Sequence, residues 1–240
     1  MTSTASVETV GARAAPLLAA EGLAAGYGHV PAIEDINFEV APGEVVAILG
    51  ANASGKTTTL MALAGLLDPM AGSVSWLGQV CRKPLHVRAR QGMAYVLGDR
   101  GVITSLSTAD NLRVGAGPVE RALELFPELR PLMKRRAGLL SGGEQKILAL
   151  ARALACDPKV VLADEFSLGL APEILHRLMD ALGAAAERGT AVVLVEQQVV
   201  HALKFASRAY ILNHGRIIMH GPTSDLLNRI DEIETSYLVT

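Results

Sequence analysis

Between Ile36 and Val40 apolar and polar residues alternate strictly, Ile36, Phe38 and Val40 against Asn37 and Glu39, which is the two-residue period of a half-buried β-strand. A turn at Ala41-Pro42-Gly43-Glu44 follows, and the pattern then changes. Residues 45–49 are apolar at every position, which fits a strand covered on both faces. A glycine-rich loop leads from this strand into a helical stretch at 56–67, which Asp68-Pro69 should end, and 73–77 and 93–96 read as further strands. Residues 100–140 carry helical fragments interrupted by Pro118, Pro127 and Pro131, a mostly helical sub-domain. Beyond Gly143 a helix presents Ile147, Leu148, Ala151, Leu154 and Ala155 on one face until Asp157-Pro158. Buried strands at 160–163 and 191–195 flank an amphipathic helix marked by Ile174, Leu175, Leu178 and Leu182, and 210–213 with 216–219 form a hairpin turned at His214-Gly215. Thr223-Ser224-Asp225 starts a helix, and from Asp231 onward the chain ends in mixed sequence. Strands alternating with helices predict an α/β fold on a largely parallel sheet.

Composition narrows the class. Half of the 240 residues are hydrophobic, enough to bury a core and to exclude a disordered chain. A net charge of −2 argues against a protein that grips nucleic acid by bulk charge. The length suits one domain carrying an inserted sub-domain, at about 100–200 residues per domain. Cys81 and Cys156 lack C-x-x-C spacing and read as reduced core thiols of a cytosolic protein. No apolar run approaches the roughly 18 residues of a spanning helix, so the chain should not itself cross a membrane. Residues 1–16 are small and polar, with Glu8 and Arg13 as the charged members, and read as a disordered leader.

Gly50-Ala51-Asn52-Ala53-Ser54-Gly55-Lys56-Thr57 matches G-x-x-x-x-G-K-[ST] between an apolar strand and a helix. In such a loop backbone N–H groups and the helix N-terminus surround phosphates, Lys56 reaches the β- and γ-phosphates, and Thr57 binds Mg²⁺, with Thr58 next in the helix. Asp164-Glu165 ends an apolar strand. Alone it is equally a helix start or a solvated loop; paired with the phosphate loop it supplies a carboxylate for Mg²⁺ at Asp164 and one to orient or deprotonate the attacking water at Glu165. Leu140-Ser141-Gly142-Gly143-Glu144-Gln145 is, by itself, a glycine-containing N-cap with an anion-binding helix start.

Taken together, and in this order, these segments resemble the ABC ATPases, over nearly the whole chain from about Leu17 to Leu227. The resemblance implies a P-loop NTPase cassette with an antiparallel β sub-domain and an inserted helical sub-domain at about 100–146. It makes Tyr27 the aromatic that stacks on the base, Ser141 and Gly143 contacts to ATP on a partner cassette, Glu165 the catalytic glutamate, and 167–172 the loop that crosses to the partner. Ser167-Leu168-Gly169-Leu170-Ala171-Pro172 and Leu194-Val195-Glu196-Gln197 look like the branched-chain amino acid uptake group, in which Gln197 stands at the usual switch-histidine position. Gln197 can bond the γ-phosphate but cannot become a cation, and His201 is a stand-in only if a helix has begun there.

Three positions depart from the family pattern. Ala53 replaces a glycine, at a cost of about 1 kcal/mol if the position needs φ > 0. Phe166 replaces a proline. After Tyr95-Val96, where the family places a glutamine or glutamate near Mg²⁺, the chain has Leu97-Gly98-Asp99-Arg100, and Asp99 either supplies that carboxylate or pairs with an arginine at the surface. The expected function is the ATP-hydrolysing subunit of an importer for branched-chain amino acids or a related small solute. Its cofactors would be ATP and Mg²⁺. Its partners would be a second cassette, transmembrane permease subunits docked near 102–112 and an external solute-binding protein, on the cytoplasmic face of the cell membrane. The alternatives are a soluble, non-transport ABC ATPase and a degenerate, nucleotide-gated member of a heterodimeric pair.

Overall fold

The computed structural model describes residues 14–98, 101–165 and 167–237; residues 1–13, Asp99, Arg100, Phe166 and residues 238–240 lie outside them. Two sheets enclose one helix. The first is antiparallel, built from β1 (Leu18–Tyr27), β2 (Val30–Val40), β4 (Ala71–Trp76) and β5 (Gln79–Val80) in the order β2-β1-β4-β5. The second joins β3 (Val45–Leu49), β6 (Met93–Leu97), β7 (Val160–Asp164), β8 (Ala191–Glu196), β9 (Arg208–Asn213) and β10 (Arg216–Pro222) in the order β10-β9-β3-β8-β7-β6. It is parallel except for β10, which returns antiparallel on β9.

The uninterrupted apolar runs have their explanation in this arrangement. Val46 and Ile48 of β3, Leu162 of β7 and Val193 of β8 face the antiparallel sheet, while Val45, Ala47, Val161 and Leu194 face the helical layer. A strand with two apolar faces has no place for polar alternation. Between the sheets runs α1 (Lys56–Ala64), with Thr58, Thr59, Leu60, Ala62, Leu63 and Ala64 all buried and only the side bearing Thr57 and Met61 less covered, as a helix sandwiched between two layers requires. The outer face carries α3 (Thr108–Val114), α4 (Val119–Leu125), α5 (Gly142–Leu154), α6 (Pro172–Glu187) and α7 (Val199–Phe205), with α8 (Thr223–Leu226) and α9 (Ile230–Ser236) at the end; α2 (Leu85–Arg90) lies beside β6.

Three expectations need correction. The first helix ends at Gly65, not at Asp68-Pro69: Gly65 has φ 76°, and its N–H and that of Leu66 bond back to Ala62 and Met61 in a left-handed cap that no apolar run reveals. Residues 230–236 form α9, because Ile230, Ile233 and Tyr237 fall at helical spacing and pack on the helical core, Ile233 fully buried. The cysteines are free but are not core thiols: Cys156 is exposed just past the end of α5, and Cys81 is half-buried beside the inner core.

The far end of α1 is held by a buried charge. Arg88 of α2, 2% exposed, donates from Nη1 to Leu63 O at 2.7 Å, from Nε to Lys83 O at 2.7 Å and from Nη2 to Cys81 O at 2.8 Å. The last turn of α1 presents carbonyls and the negative end of the helix dipole, so a cation there is favourable.

Candidate active site

The phosphate loop hangs between β3 and α1, and two neighbours hold its shape. The turn at His214-Gly215 donates from Gly215 N–H to Ser54 O at 2.9 Å, and Lys56 folds back to give Nζ bonds to Gly50 O and Ala51 O, both at 2.9 Å. Gly50 admits no side chain, since a Cβ would stand 2.5 Å from Leu212 O. Ala53 has φ 61°, so the condition under which alanine costs about 1 kcal/mol is met. A cavity of about 140 Å³ opens over the loop, walled by Ala32, Ala53, Gly55, Lys56, Thr57 and Glu165.

The parallel order β8-β7-β6 carries the remaining polar groups to one end of the sheet, the carboxyl ends of its strands, where open α/β sheets bind ligands. Asp164 ends β7, and its Oδ1 accepts from Thr57 Oγ1 at 3.3 Å while its Oδ2 accepts from Tyr95 OH at 3.3 Å. Glu165, next in the chain, turns with φ 43°. Its Oε1 accepts from Gln197 Nε2 at 2.9 Å and lies 3.5 Å from Lys56 Nζ. Lys56, Thr57, Asp164, Glu165 and Gln197 are thus one connected cluster. Burial pushes the Asp164 carboxyl above its ordinary value, and the neighbouring Glu165 charge adds to the shift. Burial lowers Lys56 against the opposing pull of Glu165, and it raises the Tyr95 hydroxyl.

Among the described residues no cluster of three histidine, cysteine or acidic side chains could hold a metal alone. Thr57 and Asp164 offer two hard oxygens 3.3 Å apart, the donor set of a magnesium ion that completes its shell with phosphate and water. The residues therefore fit Mg²⁺, which when bound neutralises charge developing on the phosphates. The third expected ligand, Asp99, lies outside the described residues. Gly98 before it is explained by packing: a Cβ there would come within 2.5 Å of Asp164 O and 2.6 Å of Glu165 O.

Other expected site residues stand apart from this cluster. Tyr27 ends β1, 58% exposed, its hydroxyl 4.0 Å from Met61 Sδ on α1, so its ring is free to stack beside the helix that carries the phosphate loop. Ser141 caps α5 in a reciprocal box, its Oγ accepting from Glu144 N–H at 3.3 Å and its own N–H donating to Glu144 Oε2 at 2.6 Å. Gln145 Nε2 donates to Leu140 O at 3.1 Å, and Gly142 has open space where a side chain would be. His201 does lie on a helix, α7, and is exposed. Tyr95 and Glu196 went unassigned in the sequence, although each had a signal. A tyrosine inside an apolar strand must find a partner for its hydroxyl, and a glutamate closing a continuous apolar run must find one for its charge.

Comparison with known proteins agrees with this geometry. The profile of the ABC transporter family matches residues 33–167, more than half of the chain. The chain belongs to the ABC transporter family. It is an ATP-binding cassette ATPase. It is 39% identical over 222 residues to the high-affinity branched-chain amino acid transport ATP-binding protein BraG of Pseudomonas aeruginosa, covering 88% of this chain and 95% of that one. It is 34% identical over 216 residues to the probable branched-chain amino acid transport ATP-binding protein LivF of Archaeoglobus fulgidus, covering 85% and 92%. At 32% over 222 residues it is also similar to the lipopolysaccharide export system ATP-binding protein LptB of Escherichia coli, covering 88% and 92%. The fold superposes on a crystal structure of a nucleotide-free ATP-binding cassette from an ABC transporter with a TM-score of 0.82 at 23% identity, covering 92% of this chain and 99% of that one.

Proposed function

We propose that this ABC transporter ATPase hydrolyses Mg²⁺-ATP to energise uptake of branched-chain amino acids or a related small solute. The observation that carries the reading is the 39% identity to BraG over 88% of the chain, joined to an intact cluster of Lys56, Thr57, Asp164, Glu165 and Gln197. In the cassette Lys56 and the loop N–H groups bind the β- and γ-phosphates, Thr57 and Asp164 hold the metal, and Tyr27 stacks on the base. Glu165 orients the attacking water and accepts its proton, while Gln197 fixes the Glu165 carboxylate and reaches the γ-phosphate. The segment at 140–145 leads into α5 and contacts the ATP of a second cassette, so two cassettes, alike or different, close head to tail.

No helix among the described residues is long and apolar enough to cross a membrane, and the cassette works as a peripheral subunit on the cytoplasmic face, docked on permease subunits fed by an external solute-binding protein. Ile103 and Val114, exposed on the helical layer, belong to the docking surface. Affinity purification of the tagged chain from detergent-solubilised cells tests this directly. Co-purifying multi-spanning permeases of amino-acid importers support it. Recovery of a lipopolysaccharide export complex, favoured by the similarity to LptB, would transfer the ATPase to that cargo, and soluble partners alone would refute the transport reading.

A further inference from the structure

Glu196 ends β8 with 4% of its surface exposed, and the chemistry assigned above makes no use of it. Both of its carboxylate oxygens are spent on one residue: Oε1 accepts from Ser167 N–H at 3.0 Å and Oε2 from Ser167 Oγ at 2.5 Å, and the backbone N–H of Gln197 also points at the carboxylate. A buried carboxylate is costly even when bonded, and an apolar residue such as the preceding Val195 would close the strand at lower cost. Strand packing therefore does not account for it. Ser167 is the buried base of a loop whose next residue, Leu168, is 62% exposed. Leu168 O accepts from Lys146 Nζ at 2.9 Å, and Lys146 belongs to α5, the helix that Ser141 caps.

The contacts form an unbroken series from α5, through Lys146 and Leu168, Ser167 and Glu196, to Gln197, Glu165 and Lys56. We propose that Glu196 is a positioning residue that pins the base of the loop at 167–170 to the strand end carrying Gln197, so that a second cassette pressing on the loop is sensed at Glu165. The inference rests on the ATPase reading of the site. The Glu196 carboxylate bonds to Ser167 and to the Gln197 backbone, not to Lys56, Thr57 or Asp164, so it acts by setting where Gln197, and through it Glu165, stands when the loop moves. The raised pKa of Glu196, caused first by burial, accords with a carboxylate kept for position and not for solvation.

The test compares ATP turnover of wild type, Ser167→Ala, Ser167→Thr, Glu196→Gln and the double variant Ser167→Ala/Glu196→Gln, with melting temperatures alongside and Glu165→Gln as reference. Loss of one charge-assisted bond at a positioning group should lower kcat about tenfold while KM for ATP stays within about twofold. Ser167→Thr, which keeps the hydroxyl, should retain turnover, and the double variant should lose no more than the worse single one, because both delete the same contact. Single variants that keep kcat within about twofold overturn the inference. So do losses that add in the double variant, or that follow the melting temperature and are not rescued by Ser167→Thr. A wild type no faster than Glu165→Gln overturns the ATPase reading itself, and this inference with it.

Discussion

Gly98 gives the sharpest test of the site. The family resemblance of the sequence implies a glutamine or glutamate there, so the simplest expectation is that restoring an acid improves the enzyme. The structure says the reverse. A Cβ at this position would lie 2.5 Å from Asp164 O, 2.6 Å from Glu165 O and 3.0 Å from Glu165 C, all backbone atoms, where ordinary contact begins near 3.4 Å. Leu97 pairs with Asp164 as the last rung of the β6–β7 ladder, so neither strand can yield without losing that rung. A methyl group would have to displace the acid pair by about 0.8 Å, and overpacking of this kind costs about 1–3 kcal/mol. A displacement near 1 Å of a reacting group costs on the order of 100-fold in rate. Gly98→Ala should therefore lose about 10–100-fold of kcat and about 1–3 kcal/mol of stability, and Gly98→Glu should do no better, because the clash arises at Cβ and not at the carboxylate. Steady-state ATP turnover in saturating Mg²⁺ and urea unfolding measure the two effects. Turnover of Gly98→Ala within twofold of wild type with an unchanged unfolding midpoint, or a Gly98→Glu variant faster than wild type, would refute the reasoning.

Three further outcomes follow from the same structure. Arg88→Met removes three bonds to main-chain carbonyls from a buried charge and should cost about 3–5 kcal/mol in urea unfolding; a loss below about 1 kcal/mol would mean that Arg88 does not hold the end of α1. Ala53→Gly relieves a left-handed alanine worth about 1 kcal/mol but adds about 0.4–1 kcal/mol of unfolded-chain entropy, so its stability should stay within about 0.5 kcal/mol of wild type, and a loss beyond about 2 kcal/mol contradicts the strain assignment. Folding raises the Glu196 pKa above 4.5, so the folded state holds that proton more firmly than the unfolded chain; wild type should lose stability relative to Glu196→Gln as pH rises from 4.5 through the folded value, and the difference should be flat on either side. Unfolding free energies at stepped pH values showing wild type gaining on the variant across that window would reverse the sign and refute it.

What the sequence made legible was whatever is encoded by local spacing. The run Val45–Leu49, the glycines and Lys56-Thr57 of the phosphate loop, and the capping pattern of Ser141 with Glu144 each carry their structural reason within a few neighbouring residues. What escaped depends on backbone conformation or on residues far away in the chain. The apolar character of Leu66 and Leu67 masked the stop at Gly65, whose cap is a matter of backbone conformation. Tyr95 and Glu196 meet Asp164 and Ser167 only because β8, β7 and β6 lie side by side, an order that no local period contains. Gly98 shows the same limit from the other side. In the sequence it reads as a missing acid; in the fold it is the one residue that lets β6 close against the carbonyls of Asp164 and Glu165, so a departure from the family pattern that suggests a weakened site is a condition for the acid pair to stand where it does.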